Sequence, residues 1–329
     1  MNDLLLLEST SKRARKKEIV SALIAILLGL LGFSVDPAWA HLSTDASFTD
    51  WHWRPDVLLV TVFFGTIYTV GWKLLHKRSA HVAYKWQLTL YLTGLLTISL
   101  ALLSPIDSLA SRLFLMHMIQ HELLTLIAPP LLLLGNPLAP VLWGLPGSLR
   151  RALGRLLTRG AVVRRSLRAM TLMPVSLPLY VITLWGWHYP AAFEASLRND
   201  LIHDMQHLSI FIAALLFWWP IINPAPRIHG HIPYGFRIVY VLVAAFQNTA
   251  LGFLIAVTDR TLYPYYTVVP RLWGLSPLDD QAFGGAIMSE GGMMLIIPLL
   301  VLVKRMLDYE EQMTRQVESI RFRLKSARK

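Results

Sequence analysis

Two five-residue stretches carry the residues best suited to chemistry: His117-Met118-Ile119-Gln120-His121 and His203-Asp204-Met205-Gln206-His207. Both read H-x-x-Q-H. Residues four apart share one face of an α-helix, about 6 Å from each other. Each copy therefore presents two imidazoles to one point, with Gln120 or Gln206 beside them. Imidazole is the commonest protein ligand for a metal. Each copy opens a long apolar run, where an ionisable group is costly and marks function by default. A lone histidine there would be explained by a hydrogen bond to a neighbouring helix. Two matched pairs point instead to a site built between two helices.

Further ligands fall at similar depth. His188 closes the run Trp185-Gly186-Trp187-His188, and Met288 lies in the last apolar span, after Gly284-Gly285-Ala286-Ile287. Thioether suits Cu(I), and imidazole suits Cu, Zn and Fe. Asp204 is placed to orient an imidazole N–H, as the outer partners of metal-bound histidines do. Glu122 and Met118 are turned away from the His face. The chain has no cysteine, which excludes disulfides, thiolate sites and Cys nucleophiles. A zinc protease would need H-E-x-x-H, and His121-Glu122 has no His at the required position. The neighbouring methionines and acids favour a copper site made of His117, His121, His203, His207, His188 and Met288, with Gln120, Gln206 and Asp204 around it. Haem b, with one axial His from each of two helices, is the alternative. Neither reading involves catalysis, so no enzyme is expected.

These residues must be held by membrane helices. Of the 329 residues 54% are hydrophobic and 16% charged, and the mean hydropathy is +0.48, where a soluble protein carries about 25% charge. Seven apolar spans near the ~20 residues that cross a bilayer fall at roughly 56–75, 86–104, 112–134, 172–190, 201–222, 234–257 and 281–303. Lipid offers no water to unpaired backbone groups, so all seven are expected to be helices. The expected fold is an all-α polytopic membrane bundle. Ahead of it, residues 1–40 combine the basic run 11–17, an apolar stretch and Ala38-Trp39-Ala40. That is the grammar of a signal peptide or of an uncleaved N-terminal helix. Residues 41–55 form an outer loop, 56–303 the membrane domain and 304–329 a basic cytoplasmic tail.

Basic residues set the orientation. All of them except Arg54, Arg112, Arg198, Arg260 and Arg271 fall on one side, which is then cytoplasmic. The net charge of +11 is thus a topology signal and no nucleic-acid footprint. The connection 135–171 strings Arg150, Arg151, Arg155, Arg159, Arg164, Arg165 and Arg168 among Leu and Val, as an amphipathic helix on the inner leaflet would. Both His pairs and His188 come to lie in the outer half. Both His spans also end in Asn-Pro, at Asn136-Pro137 and Asn223-Pro224, which suggests an internal repeat. Trp51-His52-Trp53 and Tyr263-Pro264-Tyr265-Tyr266 read as interfacial aromatic belts. His229 and His231 read as a solvated loop. Gln247, Asn248 and Thr249, midway along their span, leave open a polar path and hence a copper transporter.

The stretches Ser104-Pro105-Ile106-Asp107, His117 to His121, Ala128-Pro129-Pro130-Leu131 through Asn136-Pro137, Trp187-His188-Tyr189-Pro190 and His203 to His207 form a recognisable set. With Tyr263-Pro264, Asp280-Gln281, Gly284-Gly285 and Ile287-Met288, it resembles the CtaG-type cytochrome c oxidase assembly factors, seven-helix membrane proteins associated with caa(3)-type oxidases. The resemblance covers roughly residues 50–305. It implies a role in producing active haem–copper oxidase by copper delivery, with oxidase subunits or other assembly factors as partners. It also implies the bacterial plasma membrane as the location.

Overall fold

The computed structural model describes residues 51–326 apart from 52, 80–82, 159, 226 and 231. The expectations for residues 1–40, for His52 and for His231 lie outside the described residues. In chain order the helices are α1 (Pro55–Arg78), α2 (Lys85–Leu103), the short α3 (Pro105–Ala110), α4 (Phe114–Leu134), α5 (Leu138–Gly144), α6 (Gly147–Leu156) and α7 (Val162–Met170). They continue with α8 (Met173–His188), α9 (Pro190–Arg198), α10 (Asp200–Ile222), α11 (Tyr234–Ala256), the single turn α12 (Tyr265–Val268), α13 (Pro277–Met294) and α14 (Ile296–Ser326). No strand occurs among the described residues. The chain is an all-α bundle in which six helical segments are long and apolar enough to cross a membrane. Counting α7 and α8 as one span bent by 68° makes seven.

Proline and asparagine shape the two His helices. Pro129 and Pro130 have no N–H to return to the carbonyls one turn back. The helix relaxes there into a π segment, Leu123–Ile127, in which Ala128 N–H reaches Leu123 O. The freed carbonyl of Thr125 accepts the indole N–H of Trp218 on α10 at 2.9 Å. A single α-helical span over 112–134 was expected, and the π segment is the difference. Both His helices then end on an asparagine with left-handed backbone, φ 49° at Asn136 and 50° at Asn223, and the following proline cannot continue the helix. Asn136 Oδ1 accepts Ala225 N–H at 2.9 Å, so the two endings meet.

The remaining helices wrap this pair. α4 packs against α2 and α13, α10 against α8 and α9, and α11 lies along α13. Gly252 and Gly285 make that last approach possible: a Cβ on Gly252 would lie 2.5 Å from Ser289 N, and one on Gly285 2.6 Å from Ala256 N. The core between α4, α8, α10 and α11 is aromatic, with Phe217 stacked on Tyr180 and Tyr240 at 4.7 and 5.0 Å. The last span breaks at Leu295, where Pro298 removes the bond to Met294 O. The 135–171 connection is not one amphipathic helix. It is α5, packed on α1, followed by the Arg-bearing α6 and α7.

Candidate metal centre

Three long helices bring five imidazoles to one end of the bundle. α4 supplies His117 and His121, α10 supplies His203 and His207, and α8 ends on His188. His117, His121, His188 and His207 are buried, and His203 is half-buried. Ring centroids lie 5.3 Å apart for His117 and His203, 5.6 Å for His117 and His207, 5.3 Å for His121 and His207, and 5.5 Å for His121 and His188. His117, His203 and His207 each offer a ring nitrogen within 4.8 Å of the others. Phe193 of α9 is fully buried against the group, 4.8 Å from His117 and 5.8 Å from His188.

The hydrogen bonds assign protons. His188 Nδ1–H donates to Leu184 O at 2.7 Å, which leaves Nε2 as a bare lone pair, buried and unpartnered. Tyr266 O–H donates to Ala110 O at 2.9 Å, so its oxygen accepts from His117 Nδ1–H at 3.3 Å. Burial holds the Tyr266 phenol well above its ordinary pKa, so it stays a donor. His117 Nε2 is thereby also a lone pair, and it sits 3.0 Å from His121 Nε2. That separation fits an N–H···N hydrogen bond. It also fits two ligands on one ion at bonds of about 2.0–2.1 Å, subtending roughly 95°. His121 Nδ1 and both nitrogens of His207 have no partner although they are buried. Buried polar atoms left unbonded cost about 1–3 kcal/mol each. A cluster of bare imidazole lone pairs is relieved when a cation accepts them.

The surroundings differ from expectation in several places. Gln120 is buried but turned toward α2 and α3: its amide donates to Ala101 O at 2.8 Å and to Asp107 Oδ1 at 2.7 Å. Asp204 is engaged by Arg54, whose Nη1 and Nη2 reach its two carboxylate oxygens at 2.6 and 2.9 Å. Burial works to lower the Arg54 pKa, yet Asp204 and Asp56 hold it above its ordinary value. Arg54 is therefore a fixed positive charge near the half-buried His203. Gln206 is fully buried one position before His207. Met205 is exposed on the outside of the bundle. Met288 is buried in the apolar core with Phe114 and Met118. Its stretch of α13 runs from Gly284, whose Cβ position abuts Phe114, to Gly291, whose Cβ position abuts the Glu122 carboxyl. Met288 thus belongs to the α4–α13 seam, on the side of α4 next to the His face.

Other residues that hold the site were not singled out as parts of it from the sequence. Asp280 of α13 accepts Phe114 N–H at 2.7 Å and Leu115 N–H at 3.0 Å, and so caps the helix that carries His117 and His121. Tyr263 donates to His188 O at 3.0 Å. Gln281 fixes the strand of chain bearing both tyrosines, accepting from Leu262 N–H at 2.7 Å and donating to Arg260 O at 3.2 Å. The Tyr263-Pro264-Tyr265-Tyr266 run is therefore not an interfacial belt, because Tyr263 and Tyr266 are buried. The only sequence signal was their polar tips, since a buried tyrosine needs a partner for its hydroxyl. At the other end of the molecule His229 is also buried rather than solvated, its Nε2–H donating to Thr171 Oγ1 at 2.7 Å.

Comparison with known proteins places the chain. Uncharacterized proteins of Mycobacterium bovis and Mycobacterium tuberculosis are each 25% identical to it over 262 residues, and one of Mycobacterium leprae is 26% identical over 263. Each alignment covers 76% of this chain, but the chain spans only 38–39% of the length of these relatives. No solved structure matches. Residues 66–308, which include α4, α8 and α10, match the family described as cytochrome c oxidase caa3 assembly factor (Caa3_CtaG). With well over half of its length matched, the chain belongs to the caa3-type cytochrome c oxidase assembly factors.

Proposed function

We propose that the chain takes part in oxidase assembly by holding copper at the five-histidine cluster and passing it to an oxidase subunit or to another assembly factor. The observation that carries this reading is the set of bare imidazole nitrogens. His117 and His188 have Nδ1 fixed by a hydroxyl and a carbonyl, so that the Nε2 lone pair of His117 faces His121 and that of His188 is unpartnered, and His207 has no partner on either nitrogen. Fixing one ring nitrogen to orient the other is how proteins prepare imidazole for a metal. Copper is cargo here and is not a resident cofactor. The chain's own part is to bind, orient and release, and no turnover is involved.

Positive-inside asymmetry puts the Arg-bearing α6 and α7 on the cytoplasmic side of a bacterial plasma membrane and the His end on the outer side. His203, half-buried beside Arg54, is then the ligand nearest to an incoming or outgoing ion. Haem fits less well. The rings contact one another and Phe193 at centroid distances of 4.1–6.5 Å, which leaves no slot for a macrocycle between them. A conducting path is also disfavoured: Gln247 bonds Asn248 and accepts Trp185 N–H, and Asn248 donates to Tyr180. The polar cluster is thus satisfied by packing.

Metal analysis of the purified full chain with its optical spectrum tests the reading. About one copper per chain without a Soret band is expected, together with loss of copper in His117→Ala/His207→Ala and copper-poor oxidase in cells carrying that variant. A Soret band, or normal oxidase copper in those cells, overturns it.

A further inference from the structure

We infer that the Arg-rich end of the bundle carries a binding site for the phosphate of an anionic phospholipid, built from Arg78, Trp143 and Arg150. The guanidinium carbons of Arg78, at the end of α1, and of Arg150, on α6, each lie 4.6 Å from the centroid of the Trp143 ring on α5. The two cations can thus be no farther apart than twice that distance. A guanidinium stacked on an aromatic face keeps its N–H groups in its own plane and directed away from the ring. Two such groups on one indole hold two planar forks at one corner of the bundle, and Arg forks match phosphate bidentately.

Among the described residues neither Arg78 nor Arg150 has a carboxylate partner, and the sequence contains no acid between Glu122 and Glu194. Two other arginines at this end are engaged by backbone carbonyls. Arg164 donates to Leu157 O and Arg227 O, and Arg237 to Ile221 O. Two cations brought to a shared ring without a counter-charge repel each other, and an anion bound at their forks offsets that repulsion.

The flanking surface says that the anion comes on a lipid. α6 and α7 leave Leu149, Leu156, Val162, Val163 and Met170 exposed, and α7 departs from the α8 axis by 68°. Helices with uncovered apolar residues and arginines, turned off the spanning direction, lie in the headgroup layer. The phosphate layer of the bilayer is then at the depth of the Trp143 ring, and indoles prefer that depth.

The test uses the full chain in neutral detergent, with thermal stabilisation as the measure of ligand affinity. Short-chain phosphatidylglycerol, phosphatidylcholine of the same chain length, and inorganic phosphate are titrated in parallel. Phosphatidylglycerol is expected to stabilise the protein, with Arg78→Gln/Arg150→Gln weakening its apparent affinity by about tenfold or more. Arg151→Gln/Arg165→Gln, which removes the same charge from exposed positions on α6 and α7, is expected to leave the affinity within about twofold. Equal weakening by both doubles would reduce the site to a diffuse basic surface and overturn the inference. Equal stabilisation by inorganic phosphate, or by phosphatidylcholine, overturns the assignment to an anionic lipid. Should the glutamine variant not fold, Arg78→Lys/Arg150→Lys keeps the charge and loses the planar fork. It is expected to bind several-fold more weakly, and wild-type affinity in it overturns the site.

Discussion

The two H-x-x-Q-H copies enter the bundle at the same end, yet they hold their histidines differently. On α4 both rings are buried, the helix start is capped by Asp280, and Tyr266 fixes the proton of His117. On α10 only His207 is buried. His203 is half-buried, and Asp204 beside it is tied to Arg54 instead of to a ring. The same five-residue pattern thus yields a braced pair and a looser pair. The difference comes from what packs on each helix: α13 and the tyrosine-bearing connection lie over the start of α4, whereas the start of α10 faces the chain before α1. On the proposed reading the braced pair retains the ion and the looser pair exchanges it.

The largest effect should come from the braced copy. Outer partners of metal ligands alone are worth about 10–100-fold in affinity, so His117→Ala is expected to exceed 100-fold in competition with a Cu(I) chelator. His203→Ala should weaken binding less than that while slowing transfer to an acceptor. Equal losses for the two would erase the distinction between the copies. Tyr266→Phe comes next. It removes only the oxygen that orients His117, and about tenfold weaker binding is expected. Affinity unchanged within error would mean that the brace is passive.

A smaller effect is expected from Arg54→Gln. It removes a rim cation near His203, and charges at a rim act mainly on association rate. Stopped-flow loading should accelerate a few-fold while equilibrium affinity changes little, and an unchanged rate would show that copper does not enter past Arg54. The smallest effects lie at the far ends of the two helices. Asn136 accepts Ala225 N–H, whereas Asn223 Oδ1 has no partner. Glycine tolerates the left-handed backbone of both, so Asn223→Gly should be near neutral. Asn136→Gly should cost about 1 kcal/mol for the lost hydrogen bond. Thermal unfolding in detergent checks the pair, and equal costs would make the two endings equivalent.

How much of this was legible in the sequence depends on range. The spans were, because each is set by a local apolar run: α10 was expected at 201–222 and is Asp200–Ile222. The meeting of His117, His121, His188, His203 and His207 followed from depth and face, both of which helical geometry fixes. What partners each polar side chain was not legible. Gln120 sits beside two histidines in sequence but bonds Asp107 across α3, and Asp204 finds Arg54, 150 positions earlier in the chain. Nothing in the local sequence distinguishes a carboxylate that orients a ring from one that holds an arginine. The break between α6 and α7 escaped for a related reason. Leu and Arg in alternation read as one amphipathic surface, whereas the helix stops after Leu156 and restarts at Val162.

If the His cluster holds an ion as proposed, the Pro129-Pro130 pair constrains how it can leave. By freeing Thr125 O for Trp218, it pins α4 to α10 by a bond one helical turn below His121. Sliding or rotating one helix past the other would break that bond in a medium with no water to replace it. The register between the two His pairs is therefore locked. On the proposed reading, release is left to ring flips and side-chain torsions, which run on faster clocks than helix displacement, and the scaffold stays still while the cargo passes.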